Sequence, residues 1–216
     1  MNRLLIAAMP SSGSDWFASC ILAVSELQAH PTAKEPLNPI CNIAHFDLIA
    51  TAFGCEAANT IRRIAAPPRQ DTVDHVLELA IPPEVNFVKE VWCGYQLEQL
   101  EDHFHIVTMT RSHANTFPPT RVRVYSWYLA LARSIESNLH VDLPSTLIAR
   151  ITVAHEIYRS LLAAYPTTVT WEFLMTGTPK QLAVHFDSIQ LNQFLDTQKL
   201  STKIVETRQP RTSSTR

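Results

Sequence analysis

The chain has 216 residues, 46% hydrophobic and 18% charged, with a formal net charge of −2. This balance excludes an intrinsically disordered chain and the basic surplus of a bulk nucleic-acid binder, and the length suits one domain around one core. It still permits a local basic pocket for an anionic ligand.

Leu4 to Met9 is a continuous apolar run, short enough for a strand buried on both faces. Pro10, Ser11, Ser12, Gly13 and Ser14 break it with turn residues. Phe17, Cys20, Ile21, Val24 and Leu27 then recur on one face of a predicted helix. Small hydroxyl residues and a glycine at a helix N-terminus leave backbone N–H groups pointing at one spot, backed by the positive end of the helix dipole. Such a turn suits a phosphate. The six-residue run is too short for a signal-peptide core, and no other segment approaches the roughly 20 apolar residues of a membrane span. A cytoplasmic protein without a membrane partner is expected.

Helical patterning resumes over 44–53 and 72–81, on either side of Pro67-Pro68. Val85 to Val91 reads as a second strand bounded by Gly94, followed by a short helix over Gln96 to Asp102 and a third strand from Phe104 to Thr110. Two longer helices are predicted over 121–137 and 144–164, with Pro144 suited to a first turn. Thr167 to Trp171 is the fourth strand. The stretch 201–216, with Lys203, Arg208, Arg211 and Arg216, reads as a polar basic tail, disordered beyond a domain of residues 1–200. Strands separated by helices predict an α/β three-layer sandwich around a parallel sheet of four to five strands. In such sheets ligands lie beyond the carboxyl ends of the strands. The first turn, Lys89 and Arg111 all follow or close predicted strands, so one cleft gathers them.

Only four glycines occur, Gly13, Gly54, Gly94 and Gly177. Their spacing excludes a dinucleotide fingerprint, and none precedes the Lys-Ser/Thr pair of a Walker A loop. The cysteines, Cys20, Cys41, Cys55 and Cys93, show no zinc spacing. Reduced thiols are the default, and a disulfide stays open. His103 and His105 share a strand face without a third ligand in sequence, so no metal is expected.

The pattern that remains, Pro10, Ser12, Gly13, Ser14 and Trp16, resembles the 5′-phosphosulfate loop of sulfotransferases. These enzymes use 3′-phosphoadenosine 5′-phosphosulfate on a P-loop nucleotide-kinase-like fold. Ala29-His30-Pro31 followed by Glu35 is similar to tyrosylprotein sulfotransferases, where a glutamate faces the acceptor. Thr167 to Leu174, a Gly-Thr-Pro turn and an apolar helix ending at Phe194-Leu195 look like the family's late strand and closing helix. The likeness spans roughly residues 3–196.

The resemblance implies that Ser11, Ser12, Gly13, Ser14, Asp15 and Trp16 hold the 5′-phosphosulfate. Arg111 then holds the 3′-phosphate, together with Thr120 or Ser126, and Lys203 or Arg208 from a basic C-terminal loop covers it. It further implies sulfuryl transfer to a hydroxyl or amine of a small molecule, glycan or protein. The sequence also leaves room for a homo-oligomer. The chain departs from the family at two positions. Ser11 stands where the loop usually has Lys or Arg, and Val91 where cytosolic members have a base histidine in Lys-Thr-His. Lys89 or Lys34 is then the replacement cation, and Glu35, or after it Glu90, the base. The alternatives are a degenerate binding or assembly module and a P-loop kinase-like phosphotransferase.

Overall fold

The computed structural model describes residues 3–9, 12–29, 55–58, 61–64, 81, 83–91, 94, 97–112, 132, 135–136 and 139–208. Ser11, Lys34, Glu35, Thr120, Ser126, the predicted helix over 44–53 and most of those over 72–81 and 121–137 lie outside them.

The apolar run at the N-terminus forms β1 (Leu4–Ala8), buried along its whole length. After α1 (Ser14–Ala23) comes an antiparallel pair, β2 (Cys55–Ala58) and β3 (Ile61–Ile64), with Cys55 opposite Ile64. The sequence reading contains no strand there. The chain continues through β4 (Phe87–Glu90), α2 (Leu97–Leu100), β5 (His105–Thr110) and α3 (Leu147–Ala163). It closes with β6 (Thr168–Thr170), α4 (Trp171–Thr176), α5 (Pro179–Ser188), a 3-10 turn at Leu191–Gln193, and α6 (Thr197–Thr207).

Four strands make one parallel sheet in the order β4-β1-β5-β6. Leu4 pairs with Phe87 on one side and His105 on the other, which fixes the register around the central strand. Alternation along β1 divides the core. Leu4, Ile6 and Ala8 pack with Phe17 and Ile21 of α1, Leu182 and Phe186 of α5, and Leu200 and Ile204 of α6. Leu5, Ala7 and Met9 face the other way, toward Ile151, Ala154, Tyr158 and Leu162 of α3. The sheet thus has helices on both faces, and its central strand β1 reads as an unbroken apolar run for that reason. Among the described residues no helix is long and apolar enough to cross a membrane.

Two predicted boundaries shift. Trp171 opens α4 instead of closing β6, because the Thr170 hydroxyl accepts a hydrogen bond from the Phe173 N–H and starts the helix there. The supposed tail from residue 201 begins inside α6. Asp196 caps that helix through the N–H groups of Gln198 and Lys199, and Leu200 and Ile204 bury its apolar stripe.

The end of α6 is tied back to α4. Arg208 donates from Nε to the Leu174 carbonyl at 2.8 Å and from Nη2 to the Gly177 carbonyl at 2.6 Å. These carbonyls belong to the C-terminal turn of α4, where a cation also meets the negative end of the helix dipole. Arg208→Ala is expected to lower stability by about 1–2 kcal/mol, the scale of charge-assisted hydrogen bonds at a part-exposed site. Urea denaturation measures this, and an unchanged midpoint would show that the contact adds nothing.

Candidate functional site: the carboxyl edge of the parallel sheet

From β1 the chain crosses to β4 on one side, then returns across β1 to β5 on the other. The carboxyl ends of β1 and β5 therefore flank a topological switch point, where open α/β sheets form a ligand crevice. Ser12 and Gly13 follow β1 there, and Arg111 and Ser112 follow β5.

Gly13 is the N-cap of α1, with φ +86° and no side-chain capping hydrogen bond. A left-handed residue at this position turns the chain from strand direction into the helix, and glycine adopts it without steric cost. The Phe17 N–H makes the first helical bond, to the Gly13 carbonyl. The N–H groups of the first turn before it have no intrahelical acceptor. The Ser12 side chain is fully buried, and its hydroxyl has no hydrogen-bond partner among the described residues. A buried hydroxyl at an uncapped helix N-terminus is a donor set suited to an anion.

Lys89 lies on the α1 face of the sheet, as its neighbours Phe87 and Val91 do. It is 2% exposed, and its Nζ stands 2.6 Å from Asp15 Oδ1 in the first turn of α1. Strand alternation thus delivers a buried ammonium to the turn. Glu90 takes the opposite face, that of Val88 and α3, and is also buried. The Tyr158 hydroxyl of α3 donates to the Val91 carbonyl and accepts from the Gly94 N–H, fixing the chain just past β4.

Arg111 and Trp171 complete the edge. The Arg111 guanidinium lies 4.7 Å from the centre of the Trp171 ring, a cation–π stack. The same indole covers Gly13, and Trp16 meets it edge-on with centroids 5.4 Å apart. Trp171 therefore links the turn after β1 to the arginine after β5. Glu172 holds the next residue, since its Oε1 accepts from the Ser112 N–H at 3.1 Å and the Ser112 hydroxyl at 2.9 Å.

Of the residues expected from sequence, the structure brings together Ser12, Gly13, Ser14, Asp15, Trp16, Lys89 and Arg111. Lys203 does not join them. It shares a surface hollow with Val24, the C-cap of α1, about 15 Å along that helix from the turn. There it helps offset burial, which pushes the Cys20 thiol up, as does the Thr207 hydroxyl. Trp171, Glu172 and Ser112 were missed as members of the edge. The signal for Trp171 and Glu172 was their place directly after the last strand, masked by reading Trp171 as part of that strand. His105 is used structurally, with Nε2 at 2.9 Å from the Ile189 carbonyl. No group of metal-ligating side chains occurs among the described residues.

Comparison of the chain with protein-family models, curated proteins and solved structures finds no match.

Proposed function

We propose that this protein binds 3′-phosphoadenosine 5′-phosphosulfate at the carboxyl edge of its sheet and acts as a sulfotransferase of P-loop-like type. The observation that carries this reading is the placement of two cations at the switch point, Lys89 against Asp15 in the first turn of α1 and Arg111 over the indole that covers Gly13. The donor set fits the ligand. Backbone N–H groups, the buried Ser12 hydroxyl and the Lys89 ammonium suit a 5′-phosphosulfate, and a guanidinium fork suits a 3′-phosphate.

When bound, the ligand supplies an activated sulfuryl group. In transfer, the acceptor oxygen or nitrogen forms a bond to sulfur as the bond from sulfur to the 5′-phosphate oxygen breaks. The acceptor proton passes to a carboxylate, with Glu35 as the first choice. Lys89 offsets charge gathering on the departing phosphate, the role that Ser11 cannot fill. Catalysis of this kind depends mainly on positioning and on fixed charges at the leaving group.

A second reading, a binding module without transfer, draws on one observation. Neither residue after Lys89 offers a base at the turn, since Glu90 faces α3 and Val91 is packed in the core. Calorimetry with adenosine 3′,5′-bisphosphate and with ATP tests the proposal. Preference for the bisphosphate is expected, and preference for ATP would overturn it in favour of a kinase-like protein. A transfer assay with labelled phosphosulfate donor and a panel of sugars, phenols and peptides then separates the enzyme from the module.

A further inference from the structure

We infer that Asp15 is an internal competitor for the anion site, a carboxylate that holds Lys89 until a denser anion displaces it. The inference rests on reading the turn after β1 as an anion site. Three observations point to it. The Lys89 side chain is 3% exposed, so its ammonium is cut off from water and requires a counter-charge. Among the described residues its partner is Asp15 Oδ1 at 2.6 Å, and the Asp15 side chain is 77% exposed. The buried Ser12 hydroxyl stands at the same turn with no partner among the described residues.

The two ends of this ion pair are therefore unequal. Lys89 comes from the middle layer and is held in place by the strand and α1. Asp15 reaches in from the surface, and its exposed carboxylate can return to water once another anion takes its place beside Lys89. A carboxylate in the first turn also sits where the helix dipole favours negative charge, the position that a phosphate would take. An incoming anion thus exchanges one counter-ion of Lys89 for another, and gains the N–H groups and the Ser12 hydroxyl in addition. A singly charged, weakly coordinating anion such as chloride gains too little to displace Asp15. A pyrophosphate or phosphosulfate group, with several oxygens, meets the ammonium and the turn together. Asp15 thereby sets a threshold that selects dense polyanions.

A structural salt bridge makes the opposite prediction from a competitor. Removing one partner of a structural pair lowers stability and leaves ligand affinity the same or weaker. Removing a competitor raises affinity, because the site no longer spends part of its time closed. If the pair is closed for about 90–99% of the time, apparent affinity rises about 10- to 100-fold on its removal.

The test compares the unmodified protein with Asp15→Asn, Lys89→Met and the double variant, using inorganic pyrophosphate and adenosine 3′,5′-bisphosphate as probes in calorimetry. Asp15→Asn is expected to bind both about 10- to 100-fold more tightly than the unmodified protein. The gain should vanish in the double variant, because it acts through Lys89; a gain that persists would mark simple long-range repulsion and overturn the inference. Equal or weaker binding by Asp15→Asn, with the unmodified protein binding normally, overturns the inference and leaves the site reading standing. Failure of the unmodified protein and of Asp15→Asn to bind either probe overturns the site reading, and this inference with it. Asp15→Asn leaves a buried ammonium without its carboxylate and is expected to melt lower, so thermal denaturation accompanies the titrations. Pyrophosphate should raise its midpoint more than that of the unmodified protein. If the variant is unfolded alone, pyrophosphate should restore cooperative melting, and failure to do so counts against the inference.

Discussion

Gly13→Val is expected to lower fold stability by about 2–5 kcal/mol, combining left-handed strain with overpacking, and to abolish binding at the turn. Gly13 has φ +86°, a conformation that a β-branched residue rarely adopts. A Cβ built there would stand 2.2 Å from Trp171 Cζ3 and 2.4 Å from Cε3. The indole cannot retreat freely, because Trp16 and Arg111 pack against it. The substitution therefore disturbs the turn, the start of α4 and the seat of the arginine together. Urea denaturation gives the stability loss, and calorimetry below the melting transition gives the binding loss. Trp171→Leu placed in the Gly13→Ala background separates the terms, since it relieves the clash and leaves the backbone strain. A Gly13→Val protein as stable as the parent would mean that the indole does not rest on this residue in solution.

Arg111→Ala should weaken adenosine 3′,5′-bisphosphate by about 1.5–3 kcal/mol, the range for hydrogen bonds to a charged group, while AMP loses little. The difference between the two nucleotides is the 3′-phosphate, so the selectivity reports what the guanidinium does. Loss of the stack on Trp171 removes a further ~0.5–1 kcal/mol from the fold, a separate quantity read from denaturation. Arg111→Lys keeps the charge and gives up the planar fork, so it should recover part of the affinity and little of the discrimination. Equal losses for both nucleotides would take Arg111 out of the 3′-phosphate role and leave it as a structural cation over Trp171.

How much of this was legible in the sequence follows from which forces were local. β1 stood out because it is a short apolar run ended by Pro10, as burial on both faces requires, and β4 and β5 because Val and Ile cluster there between turn or polar residues. The uncapped turn at Ser12 and Gly13 was legible because turn chemistry lies in the residues themselves. β2 and β3 were missed because CEAA and IRRI lack the alternation or apolar run that marks a strand, so pairing across the hairpin carries the information instead. α6 was read as a tail because Leu200 and Ile204 are sparse among polar residues. Yet Asp196, as an N-cap, and the i, i+4 spacing of those two were a usable signal. The Lys89 to Asp15 pair could not be read, because alternation gives the face of a residue and tertiary packing chooses its partner. The stacking of Arg111 on Trp171 joins residues from two different strand ends and was hidden for the same reason.

The central place of β1 also has a consequence for how the chain reaches its native state. Its two neighbours, at Phe87 and His105, are synthesised long after Leu4. Pairings so distant in sequence raise contact order and slow folding. While the ribosome is still making the later strands, LLIAAM is an exposed, uncharged, sticky segment with two open edges. The same residues that organise the finished sheet are therefore the most vulnerable to aggregation during synthesis. Growth at lower temperature or added chaperone should improve the yield of folded protein more than substitutions on the surface of the late helices.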